Sequence, residues 1–420
     1  MKKNYLRLMA ALLMTMFANV ANAENAYDFG AVNADGDSIW YNIVSQEDKT
    51  CEVTYRYTAE MEDCETGETF YVADDEDSLR YIGTLNIPSE AVYNGTTYTV
   101  VGIGQHAFFN CNKLEKLIMA PTITYIDSMG VINCISLKSV EFSSSLKEIR
   151  SDAFDEDSLL SDIVLPNSLE RIEEWAFLDC ASIKSLNIPA SVNYISDGSV
   201  IMGCTSLSSL TVDSENPYYF AMDNIIFTKD TTKVVAYAAG APAESVILPE
   251  TVDTIEHEAF YGVQNLKKIV LPANLKHIGF YSITCDTNHL IDTIVCKRPD
   301  PIVGKKDPYA DLADDEYPTV FYMDEYAFMY ENEGDSTIYN NTILVVPDGS
   351  KEAYQTTYPW SLFKNIMTES EVSGIKSINA GSKNSAADEK VFDLQGRRLN
   401  ANPENGVYIK GRKKYSGYMK

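Results

Sequence analysis

Histidine is scarce in this chain of 420 residues. His106, His257, His277 and His289 are the only four, and no two stand at a spacing that pairs metal ligands. Ordinary surface or cap roles suit them better than a site. Neither a G-x-S-x-G elbow nor a phosphate-cradling loop is present, and the VVGIG run at Val100–Gly104 lacks the later glycine of a dinucleotide fingerprint. Glu173-Glu174 and Asp314-Asp315-Glu316 are adjacent carboxylates, and acid–base hydrolysis needs two carboxyls across a cleft. No catalytic, cofactor-binding or metal-binding residue is therefore assigned, and an enzyme is not expected. Basic residues are also short, 34 Lys and Arg against 61 Asp and Glu. The resulting charge of −27 argues against nucleic acid or an anionic membrane as partner, since both need a basic face. It suits keeping an exported protein in solution. Past residue 20 no apolar run is long enough to span a bilayer.

The first 23 residues are different. A basic start (Lys2, Lys3, Arg7), an apolar run from Leu8 to Val20 and the small-x-small triplet Ala21-Asn22-Ala23 make a signal peptide, with cleavage expected after Ala23. Cys51 is the first cysteine, so no lipid anchor is expected on the new N-terminus. A secreted or cell-surface product follows. At 45 % apolar and 11 % aromatic, the mature chain has enough greasy surface for a core, so global disorder is excluded.

A period organises that core. Leu165-Pro166 is answered by Ile188-Pro189 and Ile172 by Ile195, 23 positions on in each case; Cys180 is answered by Cys204 at 24. Repetition at this length marks a solenoid, each unit stacked on the last. A strand reads apolar-x-x-apolar-x-apolar: Leu114/Leu117/Met119, Leu137/Val140/Phe142, Leu160/Ile163/Leu165, Ile183/Leu186/Ile188, Leu207/Leu210/Val212 and Leu266/Ile269/Leu271. A second apolar position follows at Ile126, Ile149, Ile172, Ile195, Ile255 and Ile278, then a small-aromatic pair ending in Phe108, Phe154, Phe177 or Phe260. These ten residues are the expected structural core. One repeat cannot offset the entropy of ordering its own chain, so each must borrow a neighbour's strand and side chains. Proline after the strand ends it, because it has no donor for another rung. Cys111, Cys134, Cys180 and Cys204 share one template position and read as buried, inert thiols, without the converging partners of a metal site.

The expected fold is mainly β and poor in helix: a solenoid of 23-residue repeats over 85–296, with a β-rich N-terminal cap over 24–84 and a C-terminal cap over 297–368. In the first cap, Ile39–Val44, Glu52–Tyr57 and Tyr98–Ile103 suit strands. Asp74-Asp75-Glu76-Asp77 reads as a solvated turn, lacking the alternating ligands and glycine of a calcium loop. Cys51 and Cys64 flank a candidate hairpin, and their disulfide state stays open. The period is interrupted over 213–247, where β-rich runs around a KDTTK turn predict a hairpin laid along the array. In the second cap, Tyr354, Trp360 and Phe363 are expected to turn inward. Residues 369–388 read as a linker, and 389–420 as a short β-module ending in a basic tail.

The repeat with its strand, Ile/Leu-Pro, Ile and Ala-Phe-x-x-Cys pieces resembles the BspA-like leucine-rich repeat family of bacterial surface proteins, as do the insert and the VVPDGSKEAYQ…W…FKNI ending. The resemblance covers most of residues 85–366. It implies a right-handed leucine-rich-repeat solenoid with extracellular interaction roles, often adhesion to host proteins, glycans or other cells, and no catalytic residues. The segment 389–420 is similar to sorting modules of the type IX secretion route, which implies contact with secretion machinery, although its basic tail is longer.

Residues between the inward ones form the candidate binding face: Lys116/Ile118, Ser139/Glu141, Asp162/Val164, Ser185/Asn187, Ser209/Thr211 and Lys268/Val270. Mixed polar and apolar positions on a rigid sheet suit an extracellular protein or glycan ligand. The alternatives are a structural spacer without a ligand and, more distantly, a glycan-processing accessory or hydrolase.

Overall fold

Two ladders of parallel strands run along the array in the computed structural model, one from each apolar stretch of the repeat. The structure describes residues 27–56, 81–279, 281–285, 291–305 and 337–373, together with the strand segments Ala59–Glu62, Thr69–Val72, Tyr322–Asp324, Val391–Asp393, Arg398–Leu399, Gly406–Lys410 and Lys413–Gly417. The signal peptide, Asp74–Asp77, Cys64, His289, Asp314–Glu316 and most of the expected linker lie outside the described residues.

The leading ladder joins Gly83–Asn86, Leu114–Ile118, Ser139–Glu141 and Asp162–Ile163. The trailing ladder joins Thr96–Ile103, Tyr125–Ile126, Glu148–Ile149, Arg171–Ile172 and Tyr194–Ile195. The register keeps the 23-residue step: Ile126 lies beside Ile149, Ile149 beside Ile172, and Ile172 beside Ile195. Side chains that alternate in the strand therefore stack coil on coil. The result is a β-solenoid of about ten turns with about 23 residues per turn, mainly β with few helices.

Between the ladders lies one continuous core. Phe108, Phe154, Phe177, Phe260, Ile126, Ile149, Ile172, Ile195, Ile255 and Ile278 are all buried within it. The rings of Phe154 and Phe177 stack at 5.5 Å with planes 7° apart. Each coil turns its third side through residues in the left-handed region. His106, Met129, Asp152 and Trp175 form one row with φ between 55° and 58°; Asn110, Asn133, Glu156 and Asp179 form another with φ between 52° and 59°. A left-handed non-glycine residue costs roughly 1–2 kcal/mol, so stacking must hold these corners in place.

The N-terminal cap is antiparallel. Phe29–Val32 pairs with Ser38–Ser45, which pairs with Thr50–Thr54. That last strand runs parallel to Thr96–Ile103, which thus converts a meander into the first rung of the trailing ladder. Tyr93-Asn94-Gly95-Thr96 supplies a two-residue hairpin, with Asn94 and Gly95 both at positive φ as such turns demand. Cys51 is a buried free thiol.

The hairpin expected around the KDTTK turn is present, Ile225–Thr228 against Lys233–Tyr237, but it does not simply lie along the side of the array. The insert is a three-stranded meander, Tyr219–Met222, Ile225–Thr228 and Lys233–Tyr237, whose last strand is itself a rung, parallel to Thr254–Ile255. Both ladders stop against its side chains. The Ile195 amide donates to the Tyr219 hydroxyl at 3.0 Å, and the Leu210 amide donates to Asn224 Oδ1 at 3.1 Å. The fully buried Asn216 anchors the entry, donating to the carbonyls of Pro189 and Val192 and accepting from the Tyr218 and Tyr219 amides.

The leading ladder then continues beyond Cys296, where the sequence template fades. Thr293–Cys296 pairs with Ile343–Val346, and that strand with Asn365–Thr368. A short helix, Lys351–Thr356, sits between these last two rungs. Tyr354 and Trp360 are fully buried and Phe363 nearly so. Trp360 Nε1 donates to the Ile302 carbonyl at 2.9 Å and the Tyr354 hydroxyl to that of Arg298 at 2.8 Å, which plugs the end of the core. The strand segments Val391–Asp393, Arg398–Leu399, Gly406–Lys410 and Lys413–Gly417 form a four-stranded antiparallel sheet.

Candidate functional site

The outward face of the trailing ladder is occupied by its own side chains. Tyr125 lies over Gly102, where a Cβ would stand 2.2 Å from the ring. Its hydroxyl donates to Glu52 Oε2 at 2.6 Å. The Arg150 guanidinium sits 4.9 Å from the same ring centre and bridges Asp127 at 3.1 Å and Glu148 at 3.0 Å. One coil on, Arg171 covers Tyr194 at 4.0 Å. Burial pushes the Glu52 carboxyl up, and the Tyr125 hydrogen bond works against that. These contacts stitch one coil to the next and leave little for a ligand.

The leading ladder faces solvent differently. Lys116, Ser139, Glu141, Asp162 and Val164, five of the expected face residues, line one open depression, together with Val140 and Phe142. Its cause is local. The strand at Asp162–Ile163 pairs with Ser139–Val140 and then leaves the ladder, so Glu141, paired with Ile118 on one side, has no rung on the side of the following coil. Val164 swings out to 79 % exposure, and Phe142 and Ile163 are only partly buried against the core. Lys116 Nζ meets Glu141 Oε1 at 2.5 Å across the rim. An aromatic floor with an apolar lip and a charged rim can take an apolar or sugar group and fix its orientation through hydrogen bonds.

The remaining face residues do not share this depression. Among the described residues no backbone bond links Asp162–Leu165 to Ser185–Ile188, so the ladder breaks there. Beyond the break, Ser185, Asn187, Ser209 and Thr211 are exposed on a two-stranded segment, where the Thr211 hydroxyl donates to Asn187 Oδ1 at 2.8 Å. Ile118 is half-buried beside Glu141 in the register. Lys268 is exposed on a third segment of ladder, but Val270 is only 6 % exposed. It lies in an apolar outward row with Ile247, Val295, Val345 and Met367, and is shielded as Val345 and Met367 are. Val270 therefore drops out of an accessible face.

Val140 and Phe142 went unmarked in the sequence because both occupy inward template positions. A signal was present: Phe142 is followed by Ser143-Ser144-Ser145 where other repeats carry proline. Among the described residues no group of three His, Cys, Asp or Glu is placed to hold a metal ion, and no helix is long and apolar enough to cross a membrane. Burial drives the His106 imidazole down to about 4 and the Cys180 thiol well up, so neither is poised for proton transfer or nucleophilic attack near neutral pH.

This architecture defines a leucine-rich-repeat solenoid. Residues 95–208 and 233–295 are similar to the BspA type leucine rich repeat region, which they match in six copies. No curated protein matches the chain. Among solved structures, the chain is similar to the pneumococcal vaccine antigen PcpA at 14 % identity, over 82 % of this chain and 99 % of that one, with a TM-score of 0.43. A leucine-rich repeat protein from Bacteroides ovatus shows 18 % identity over 81 % and 76 %, with a TM-score of 0.45. A leucine rich cell surface protein from Faecalibacterium prausnitzii shows 18 % identity over 87 % and 100 %, with a TM-score of 0.42.

Proposed function

We propose that the protein binds an extracellular protein or glycan through the outward face of the leading ladder, as a secreted or surface-held adhesion module. The observation that carries this is the depression at Lys116, Glu141, Phe142, Asp162 and Val164, where a rigid array opens and presents an apolar residue at 79 % exposure. Binding rather than chemistry suits a face of one acid–base pair and short polar groups. Export after cleavage at Ala23 and engagement of secretion machinery by 389–420 complete the proposal.

The test is a binding panel of matrix proteins, mucin glycans and epithelial cells against the mature chain and its Val164→Glu variant. Saturable binding that weakens at least about tenfold in the variant, with melting unchanged, supports the face. Saturable binding that Val164→Glu leaves intact moves the ligand elsewhere. A panel without saturation favours a spacer, and turnover of a glycan on the same panel favours a hydrolase.

A further inference from the structure

Each of several coils closes with a small side chain in the same buried slot. Cys134 donates its thiol proton to the Phe108 carbonyl at 3.0 Å, Cys180 to that of Phe154 at 3.0 Å, and Cys204 to that of Phe177 at 3.2 Å. Each thiol thereby latches its coil to the one before. The slot between Cys134 and Cys180, 23 residues from each, holds Asp157, which is completely buried.

Asp157 is satisfied on one oxygen only. Its Oδ1 accepts from the Cys134 amide at 2.6 Å, while Oδ2 has no partner. The preceding coil contains a second orphan. Cys111 N donates to the Phe108 carbonyl at 3.2 Å, but the equivalent Cys134 amide has turned to Asp157, and among the described residues no group donates to the Val131 carbonyl. Val131 stands 26 residues before Asp157, as Phe108 does before Cys134 and Phe154 before Cys180. The unmatched oxygen and the unmatched carbonyl occupy the latch positions of the neighbouring coils.

We propose that Asp157 is a neutral carboxylic acid in the native array, its Oδ2–H donating to the Val131 carbonyl, so that this coil unlatches as the pH rises. An ionised carboxylate would set a lone pair against the carbonyl and leave a buried charge with no cation. The titratable groups facing it are acids or thiols: Cys134 and Cys111 from the preceding coils, Asp155 and Glu156 from its own turn, and Cys180 from the next.

Burial, reinforced by Asp155, holds the Asp157 carboxyl well above the usual range despite the Cys134 amide bond. Burial likewise pushes Asp155 up to about 8, with Asp152, Glu156 and Asp179 adding to it, and Asp152 up to about 7, with Glu174 adding to it. A carboxyl raised in the folded state contributes stability that is whole below its unfolded value of 3.8 and is lost as pH climbs through the folded value. The three acids thus favour the array in acid, and for Asp155 the loss is complete only above about 8.

The experiment is thermal melting between pH 5 and 9 of the mature chain and of Asp157→Asn, which keeps an acceptor for Cys134 and gains a permanent donor for Val131. The parent melting temperature is expected to fall by about 5 °C or more over that range, and the variant's by distinctly less, the remainder coming from Asp155 and Asp152. Asp157→Cys, the residue native to the slot elsewhere, serves if the amide fails to fold. An infrared difference spectrum, parent minus variant at pH 7, is expected to show the band of a protonated carboxyl. A carboxylate band in its place, an unchanged pH slope, or variants weaker than the parent throughout would overturn the proposal.

Discussion

Between Thr96 and Ile195 the trailing ladder never breaks, and its outward positions hold Tyr125, Arg150, Glu148, Arg171 and Tyr194 in contact across coils. Over the same coils the leading ladder ends at Asp162–Ile163, restarts at Ser185–Ile188 and leaves Val164 in solvent. One ladder fixes the stacking and the other is thereby free to be irregular. Irregularity is where a surface acquires shape, so the contrast separates the part of the coil that builds from the part that can bind.

The contrast can be broken most severely from inside. Phe177→Ala removes a ring that both ladders rest on and is expected to cost about 3–5 kcal/mol, measured by chemical denaturation. A parent-like midpoint would mean that the two ladders do not share a core. The next effect belongs to the trailing face. Arg150→Ala strips the guanidinium from Tyr125, Asp127 and Glu148, and about 1 kcal/mol is expected to be lost, the contacts being partly screened by solvent. Val164→Glu on the leading face is expected to change stability by less than about 0.5 kcal/mol. If it proved as damaging as Arg150→Ala, the division of labour between the faces would fail.

A comparably small effect tests the charges flanking both ladders. Lys138–Glu115, Lys147–Glu170, Lys233–Glu256, Lys267–Glu244 and Lys276–Asp253 are ion pairs, each joining residues 23 apart. Lys147→Ala is expected to cost only about 0–1 kcal/mol, and the difference should vanish in about 1 M salt. A loss that persisted in salt would assign Lys147 a packing role instead.

The architecture was legible because a solenoid repeats its instructions: Ile126, Ile149, Ile172 and Ile195 state one rule, and the core obeys it. The insert was less so. Its last strand, Lys233–Tyr237, carries the pattern of a hairpin arm yet serves as a rung, and which neighbour a strand edge meets is a tertiary matter. The depression was half visible. Lys116, Ser139, Glu141, Asp162 and Val164 follow from alternation, whereas Phe142 needed the knowledge that the next strand peels away. Val270 misled because alternation gives the direction of a side chain, and shielding depends on the neighbours along its row. Asp157 was open to inspection throughout, midway through the doubled gap between two cysteines.

The coil that ends at Cys204 carries one residue more than its predecessor, absorbed between Ser196 and Val200, where Gly198–Ile201 winds into a short 3-10 helix capped by Asp197. Past that point the corner is regular again: Gly203 turns at φ +74°, as Asp179 does one coil earlier, a Cβ there would stand 1.9 Å from Asp179 Oδ1, and the Asp179 amide reaches the Met202 carbonyl at 2.9 Å. A corner that swallows an extra residue without disturbing the rungs makes the array modular. Turns can be lengthened, duplicated or dropped in descent while the antiparallel lid at one end and the Trp360 plug at the other keep the greasy ends covered.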